Sequence, residues 1–260
     1  MGMAPENAPV VLQVNELKKV FSRKGTADVV AVDGISFEVR AGECVGLVGE
    51  SGSGKSTTSS MIMRMTDPTS GEIVLDGVNV ANLPKKQLKE LYRHVQMVFQ
   101  DPRGSFDPRR TLGDGIAEGL RNYKGASRAQ ALEQAREMLQ HVGLPADFSE
   151  RFAREVSGGQ CQRAAIARAM VLQPKLLICD EATSALDVTV QQSIVELLGR
   201  MRRETGMAML FICHDIALAQ TICDRILVME HGKIVEQGDA RQVISNPQHP
   251  YTKQLVDSVL

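Results

Sequence analysis

The segment from Gly49 to Ser56 carries residue types at a spacing that suits the binding of a phosphate chain. Its sequence, GESGSGKS, fits the pattern G-x-x-x-x-G-K-[ST] at every required position. Glycines in such a loop permit backbone conformations that turn successive N–H groups toward one anion, and the positive end of the following helix adds to the attraction. The pattern therefore predicts a phosphate-binding loop made of Gly49, Glu50, Ser51, Gly52, Ser53, Gly54, Lys55, Ser56 and Thr57.

Two side chains of this loop have specific predicted roles. Lys55 is expected to neutralise the β and γ phosphates, and the hydroxyl of Ser56 is expected to bind Mg²⁺. The apolar run Cys44–Val48 predicts a buried strand before the loop, and residues 57–65 predict a helix after it. This context favours a phosphate site over a glycine-rich turn that binds nothing, which is the other interpretation of the same residues.

A second chemical feature is a pair of carboxylates, Asp180 and Glu181, which follows the apolar run Leu176–Cys179. A buried strand tolerates charge only at an end that meets a cleft or a metal. Asp180 is placed to hold Mg²⁺ through its hydration shell, and Glu181 is placed to accept a proton from an attacking water. The same pair would also suit a simple cap on the following helix, and these residues alone do not decide between the two roles.

The turn Ser157-Gly158-Gly159-Gln160 is a weaker signal of the same kind. Small residues at the start of a helix expose backbone N–H groups, which suits an anion. A GTPase is disfavoured, because the chain contains no N-K-x-D segment to recognise guanine.

The elements that must position these residues alternate between strands and helices. Capping residues Ser127 and Gln130, followed by apolar residues at helical spacing, predict a helix over 128–142. Strands separated by helices predict a parallel sheet, which binds ligands at the carboxyl ends of its strands. Residues 101–156 are poor in strand signals and are predicted to form an inserted helical lobe. The other predicted strands cover 10–14, 29–39, 73–75, 95–99, 176–179, 208–213, 226–229 and 233–236, and the other predicted helices cover 160–172 and 188–204.

Composition limits the classes of protein that the chain can represent. Its 260 residues are 43% hydrophobic and 23% charged, which is typical of a globular protein. A formal net charge of −1 gives no basic surplus for nucleic acid. The longest apolar run, Met207 to Cys213, is far shorter than the roughly 20 residues of a membrane-spanning helix. Neither a secretory signal nor a C-x-x-C pair is present, so we expect a cytosolic chain with reduced thiols.

Taken together, the motifs resemble those of the ATP-binding-cassette (ABC) ATPases, the motor subunits of membrane transporters, from about Leu12 onward. The set consists of the phosphate loop, Gln100 after a predicted strand, Ser157–Gln160, Asp180 with Glu181, Ser184–Asp187 and His214. The resemblance implies an α/β fold: a P-loop NTPase core with a mostly parallel sheet, an N-terminal antiparallel β subdomain and an inserted helical subdomain. The implied domains are a flexible N-terminus (1–9), the ATPase domain (10–245, with the helical subdomain at about 101–160) and a C-terminal tail (246–260).

The resemblance also implies roles for residues outside the phosphate loop. Gln100 would couple Mg²⁺ to the membrane partner, which makes it both a catalytic and a metal-binding candidate. Ser157, Gly158, Gly159 and Gln160 match the family signature, with Val156 in place of the usual Leu. His214 matches the residue that contacts the γ-phosphate. Asp187 lies in the loop that joins two subunits.

Phe21 falls where the family places an aromatic ring that stacks on adenine. The ordinary alternatives are a core or strand-end Phe for Phe21 and a strand-end His for His214. The arginines at 103, 109 and 110 suit either a permease loop or a solvated charged face.

Four segments, at 100–109, 157–163, 187–191 and 246–252, are similar to cassettes that import oligopeptides, dipeptides and nickel. The resemblance implies an ATPase that uses ATP and Mg²⁺ to energise uptake of peptides or a related small solute such as nickel. It implies a head-to-tail pair in which Lys55 of one cassette and Ser157 and Gly159 of the other hold each ATP.

The implied partners are two transmembrane permeases, a second ABC ATPase in a heterodimer or homodimer, and, indirectly, an extracytoplasmic binding protein, with no nucleic acid. The implied location is the cytoplasmic face of the inner membrane. Some members carry a cysteine-rich tail, and this chain has no cysteine after Cys223, so it looks like the partner that lacks that tail. The alternatives are an ATP-driven switch in translation or DNA repair built on the same cassette, and a small-molecule kinase.

Overall fold

The computed structural model describes residues 8–22, 25, 27–184 and 186–258, with the side chain of Lys85 excepted. The described residues fall into two compact units: unit 1 contains those up to Leu88 and those from Gly206 onward, and unit 2 runs from Lys89 to Thr205. Residues 1–7 of the predicted flexible N-terminus, Ala185, and the last two residues of the predicted tail lie outside the described part.

An antiparallel sheet forms the N-terminal part of unit 1. Its four strands lie in the order β2-β1-β4-β5. Leu12, Val14 and Leu17 of the first strand are almost fully buried, so one face of the sheet packs into the core. The strands are β1 (Val10–Phe21), β2 (Val29–Arg40), β4 (Ser70–Leu75) and β5 (Val78–Asn79).

The remaining strands of unit 1 form a mostly parallel arrangement. The strand before the phosphate loop, β3 (Cys44–Val48), pairs in parallel with β8 (Ala208–Cys213) and β9 (Arg225–Glu230). The last strand, β10 (Lys233–Asp239), pairs antiparallel with β9. Every residue of β3 and β8 is buried, as expected for strands that are covered on both faces.

Four helices complete unit 1: α1 (Lys55–Ile62), α7 (Ile216–Ile222), α8 (Ala240–Ser245) and α9 (Pro250–Asp257). A 3₁₀ turn covers Lys85–Gln87. The helix α2 (Leu88–His94) begins at the last residue of this unit and continues into unit 2.

Unit 2 combines one parallel strand pair with four further helices. The strand β6 (Val95–Val98) pairs in parallel with β7 (Leu176–Asp180). Between them lie two 3₁₀ turns, Ala146–Glu150 and Ala153–Glu155. The helices are α3 (Leu112–Lys124), α4 (Arg128–His141), α5 (Gly158–Met170) and α6 (Val188–Thr205).

The predicted α/β class with an antiparallel N-terminal subdomain and a helical insert is confirmed. The predicted capping box is also present, since Ser127 Oγ accepts a hydrogen bond from Gln130 N and Gln130 Oε1 accepts one from Ser127 N. The first strand was predicted to end at Val14 and instead runs to Phe21. Its second half mixes charged and apolar residues, and Glu16 adopts a φ of 46° where the pairing register shifts, so the two-residue alternation is broken there.

In the described part of the chain, every helix is either too short or too polar to cross a bilayer. All five cysteines are buried and unoxidised.

Candidate nucleotide-binding site

The phosphate loop joins β3 to α1, and its glycines are required by close backbone neighbours. A Cβ atom on Gly49 would lie 2.2 Å from the carbonyl oxygen of Met229. A Cβ atom on Gly54, which has a φ of 109°, would lie 2.3 Å from the carbonyl oxygen of Ala31. No other residue type fits at either position without displacing backbone, so the loop keeps the compact shape that turns N–H groups inward.

The Lys55 side chain is folded back into this loop and is only 3% exposed. Its Nζ donates hydrogen bonds of 2.7 Å to both the Gly49 and the Glu50 carbonyl oxygens and lies 3.4 Å from Ser53 Oγ. An ammonium group that is held by carbonyl oxygens can bind phosphate oxygens in their place, because both are hydrogen-bond acceptors and phosphate carries the larger negative charge. The role of Lys55 as a phosphate ligand stays a prediction.

Two further predicted residues of unit 1 are at the surface. His214 is exposed and directly follows β8, while the next residue, Asp215, caps α7 by accepting a hydrogen bond from Leu218 N at 3.0 Å. Phe21 ends β1 with 45% of its surface exposed, and Lys19 Nζ lies 4.9 Å from the centre of its ring. An exposed ring beside a cation is open to a planar base, whereas a core Phe would be covered.

In unit 2, the two carboxylates lie at the carboxyl end of β7, whose five residues are all buried. Asp180 is 9% exposed and Glu181 is partly exposed. Glu181 has a φ of 47°, a left-handed conformation that costs a residue with a side chain about 1 kcal/mol or more and is often found at functional sites. This conformation ends the strand and begins a tight turn.

Two hydrogen bonds connect Gln100 to this turn through Ser184. Gln100 Nε2 donates to Ser184 Oγ at 3.3 Å, and Ser184 Oγ donates to the Glu181 carbonyl oxygen at 3.0 Å. The backbone N–H of Ser184 donates to the same oxygen at 3.1 Å. Unit 2 therefore brings together the predicted glutamine and the predicted base.

The predicted signature residues begin α5 and form a capping box. Ser157 Oγ accepts a hydrogen bond from Gln160 N at 3.3 Å, and Gln160 Oε1 accepts one from Ser157 N at 2.9 Å. A Cβ atom on Gly159 would lie 2.6 Å from Val190 Cγ1, so this glycine lets α6 approach the start of α5. Asp187 caps α6, since its Oδ1 accepts a hydrogen bond from Val190 N at 3.0 Å.

The predicted Mg²⁺ ligands are a hydroxyl (Ser56), an amide (Gln100) and a carboxylate (Asp180). Each offers an oxygen atom, and Mg²⁺ prefers oxygen ligands in proteins and retains several of its waters. Asp180 lies almost buried at the carboxyl end of β7. Each of the three side chains is therefore, taken by itself, of a chemical type that Mg²⁺ accepts as a ligand.

The arginines whose role the sequence left open behave differently from one another. Arg103 is exposed, and its Nη2 donates to the Val156 carbonyl oxygen at 2.8 Å, just before the signature. The Arg109 side chain is 87% exposed, and its Nε lies 3.1 Å from Asp107 Oδ1. The other oxygen of the same carboxylate lies 3.9 Å from Arg110 Nε. The last two are surface ion pairs.

Sequence reasoning missed one contact of the phosphate loop. The Tyr251 hydroxyl, in the tail segment, accepts a hydrogen bond of 2.8 Å from the backbone N–H of Glu50. The two residues are 201 positions apart, so no local pattern could have indicated the contact.

These features match known proteins over most of the chain. Residues 32–184 match the family model described as ABC transporter, and residues 235–260 match the model described as oligopeptide/dipeptide transporter, C-terminal region. A putative peptide import ATP-binding protein of Brucella ovis is 42% identical over 249 residues, covering 96% of this chain and 78% of the relative. The oligopeptide transport ATP-binding protein OppF of Bacillus subtilis is 44% identical over 252 residues, covering 96% and 82%.

Among solved structures, the dimeric ATP-binding cassette MJ0796 in a post-hydrolysis state, bound to ADP and Pi, superposes with a TM-score of 0.81 at 29% identity. The match covers 88% of this chain and 99% of that one. Fold and phosphate loop together define an ATPase of the P-loop class. The chain belongs to the ABC transporter family, as its motifs indicated.

Ser157 offers a test of whether the capping box is only structural, because Ser127 forms a second box of the same type in the same unit. Replacing either Ser with Ala is expected to lower the free energy of unfolding by about 1 kcal/mol, measured by urea denaturation. Only Ser157→Ala is expected to slow phosphate release from ATP by the transporter that contains the chain. Equal hydrolysis rates for the two variants would contradict a role for Ser157 beyond capping.

Proposed function

We propose that this chain is the ATP-hydrolysing subunit of an ABC importer that takes up peptides or a related small solute. The observation that carries this proposal is the combination of a correctly formed phosphate loop with a C-terminal segment of the oligopeptide/dipeptide type in one chain. The peptide import names of the relatives support the same solute class.

In unit 1, the proposed roles concern nucleotide binding. Lys55 exchanges its contacts with the Gly49 and Glu50 carbonyls for the β and γ phosphates, while the loop N–H groups and the start of α1 hold the remaining oxygens. The Ser56 hydroxyl holds Mg²⁺. Phe21 stacks on adenine in the position where its exposed ring now lies beside Lys19. His214 contacts the γ-phosphate.

In unit 2, the proposed roles concern hydrolysis. Asp180 holds Mg²⁺ through its waters, and Mg²⁺ neutralises charge on the phosphates. Glu181 accepts a proton from the attacking water, and the strained turn that follows it fixes its backbone. Gln100 and Ser184 hold that turn through the hydrogen bonds described above, so a movement of Gln100 is transmitted to Glu181.

The proposed assembly is a head-to-tail pair of cassettes on two membrane permeases, with an extracytoplasmic binding protein delivering the solute. The neighbouring structure of MJ0796 is dimeric, which supports the pairing. In such a pair, the signature of one cassette, Ser157 to Gln160, binds the nucleotide that Lys55 of the other holds. ATP then closes the pair because it binds the closed state more tightly than the open one.

Lys55→Ala tests nucleotide binding. ATP at about 100 times its Kd should stabilise the wild-type chain by about 2.7 kcal/mol, and the variant should show almost none of this shift because its phosphate ligand is lost. The measurement is thermal unfolding with and without Mg²⁺-ATP. Lys233→Ala, which removes an exposed partner of Asp33, is the control and should respond to ATP as the wild type does. An unchanged ATP shift in the Lys55 variant would contradict the assignment.

Glu181→Gln tests the proposed base. Glutamine keeps the shape of the side chain but cannot accept the proton, so hydrolysis should slow by about 10²- to 10⁴-fold. ATP binding should persist, and the variant should accumulate as a closed pair in the presence of ATP. Phosphate release and size-exclusion chromatography measure the two effects. Glu196→Gln, on the surface of α6, is the matched control, and a Glu181 variant that hydrolyses ATP as fast as this control would overturn the role.

A further inference from the structure

The Tyr251 hydroxyl of the C-terminal segment contacts the phosphate loop. Tyr251 Oη accepts a hydrogen bond of 2.8 Å from the backbone N–H of Glu50, and the Tyr251 side chain is only 7% exposed. Burial raises the pKa of Tyr251 above its usual value of about 10, and the hydrogen bond from Glu50 only partly offsets this effect. The phenol is therefore neutral at physiological pH, and its oxygen is available as an acceptor.

The peptide group that Tyr251 contacts is the one that also binds Lys55. The N–H of this peptide belongs to Glu50 and the carbonyl belongs to Gly49, whose oxygen accepts a 2.7 Å hydrogen bond from Lys55 Nζ. The peptide plane is thus held at both ends, by the tail on one side and by the lysine on the other. Hydrogen bonds at the two ends of one peptide polarise and strengthen each other.

The tail itself is built to hold Tyr251 in place. The Glu236 carboxylate accepts hydrogen bonds of 2.9 Å from the backbone N–H groups of both Gln248 and His249, which fixes the bend before α9. His249 caps α9, since its Nδ1 accepts a hydrogen bond from Tyr251 N at 3.3 Å, and Pro250 occupies the first helical position. Leu255 and Val256 on the same helix are buried. A braced, short helix can impose a fixed position on Tyr251.

We infer that Tyr251 is a positioning residue for nucleotide binding: through the Gly49–Glu50 peptide it sets the phosphate loop and Lys55 in the conformation that receives the phosphates. The C-terminal segment therefore acts as a brace on the phosphate loop of its own chain. This inference rests on the proposed function, since it assumes that the loop binds ATP.

Tyr251→Phe isolates the hydroxyl because the ring and its packing remain. Losing this one hydrogen bond should weaken binding of a fluorescent ATP analogue by about three- to tenfold at 25 °C, while the maximal hydrolysis rate at saturating ATP stays within about twofold. Tyr123→Phe, which removes a hydroxyl from α3, and Ser258→Ala, which removes one just after α9, should bind the analogue as the wild type does. A Tyr251 variant with wild-type affinity, even one that melts at a lower temperature, would overturn the inference.

A measurement on the wild-type chain keeps the inference testable if Tyr251→Phe does not fold. If the tail strengthens nucleotide binding, nucleotide must strengthen tail docking by the same factor. Hydrogen–deuterium exchange of the segment that contains 249–256 should therefore slow by about three- to tenfold when Mg²⁺-ATP is added. Unchanged exchange in this segment would contradict the coupling. The shift in thermal unfolding that Mg²⁺-ATP causes in the wild type, and that Lys55→Ala should lose, shows separately that ATP binds. Unchanged exchange in a wild-type chain that shows this thermal shift therefore counts against the role of Tyr251 and not against ATP binding.

Discussion

The contact on which the ATP site depends is the one between the Lys55 ammonium and the carbonyl oxygens of its own loop. A buried cation needs acceptors, and the Gly49 and Glu50 carbonyls supply them at 2.7 Å. This arrangement requires the backbone to fold tightly around the lysine. The tight fold in turn requires glycine at 49 and 54, where the Met229 and Ala31 carbonyls leave no room for a side chain. The shape of the loop thus depends on β2 and β9, two strands that are far from it in sequence.

The parts of the site that could be predicted from sequence are those in which neighbouring residues determine the geometry. The phosphate loop, the box formed by Ser127 and Gln130, and the carboxylates after an apolar strand all depend on spacings of a few residues, and the fold class follows from how such elements alternate. The second half of β1 could not be predicted, because its polar residues pair with β2 and β4 and the bulge at Glu16 hides the alternation. The contact between Tyr251 and Glu50 could not be predicted from the sequence either, because only the tertiary fold brings the tail to the loop.

Unit 2 shows how the residues proposed for hydrolysis are also structural residues. Glu181 ends a buried strand in a left-handed conformation, and this conformation persists because Ser184 donates both its N–H and its hydroxyl to the Glu181 carbonyl. Gln100 enters the same network through Ser184. Two hydrogen bonds therefore lead from Gln100 to the Glu181 turn, and they are the route by which the proposed coupling would act.

The capping box at the signature does not compete with the proposed binding of phosphate by Ser157. A serine hydroxyl has two acceptor lone pairs and one donor hydrogen, and the box uses one acceptor position, for the Gln160 N–H. The hydrogen remains available to donate to a phosphate oxygen. The first-turn N–H groups of α5, including those of Gly158 and Gly159, have no acceptor within their own helix and point toward the same side. The box therefore fixes the serine at the positive end of the helix, so that capping and anion binding require the same geometry.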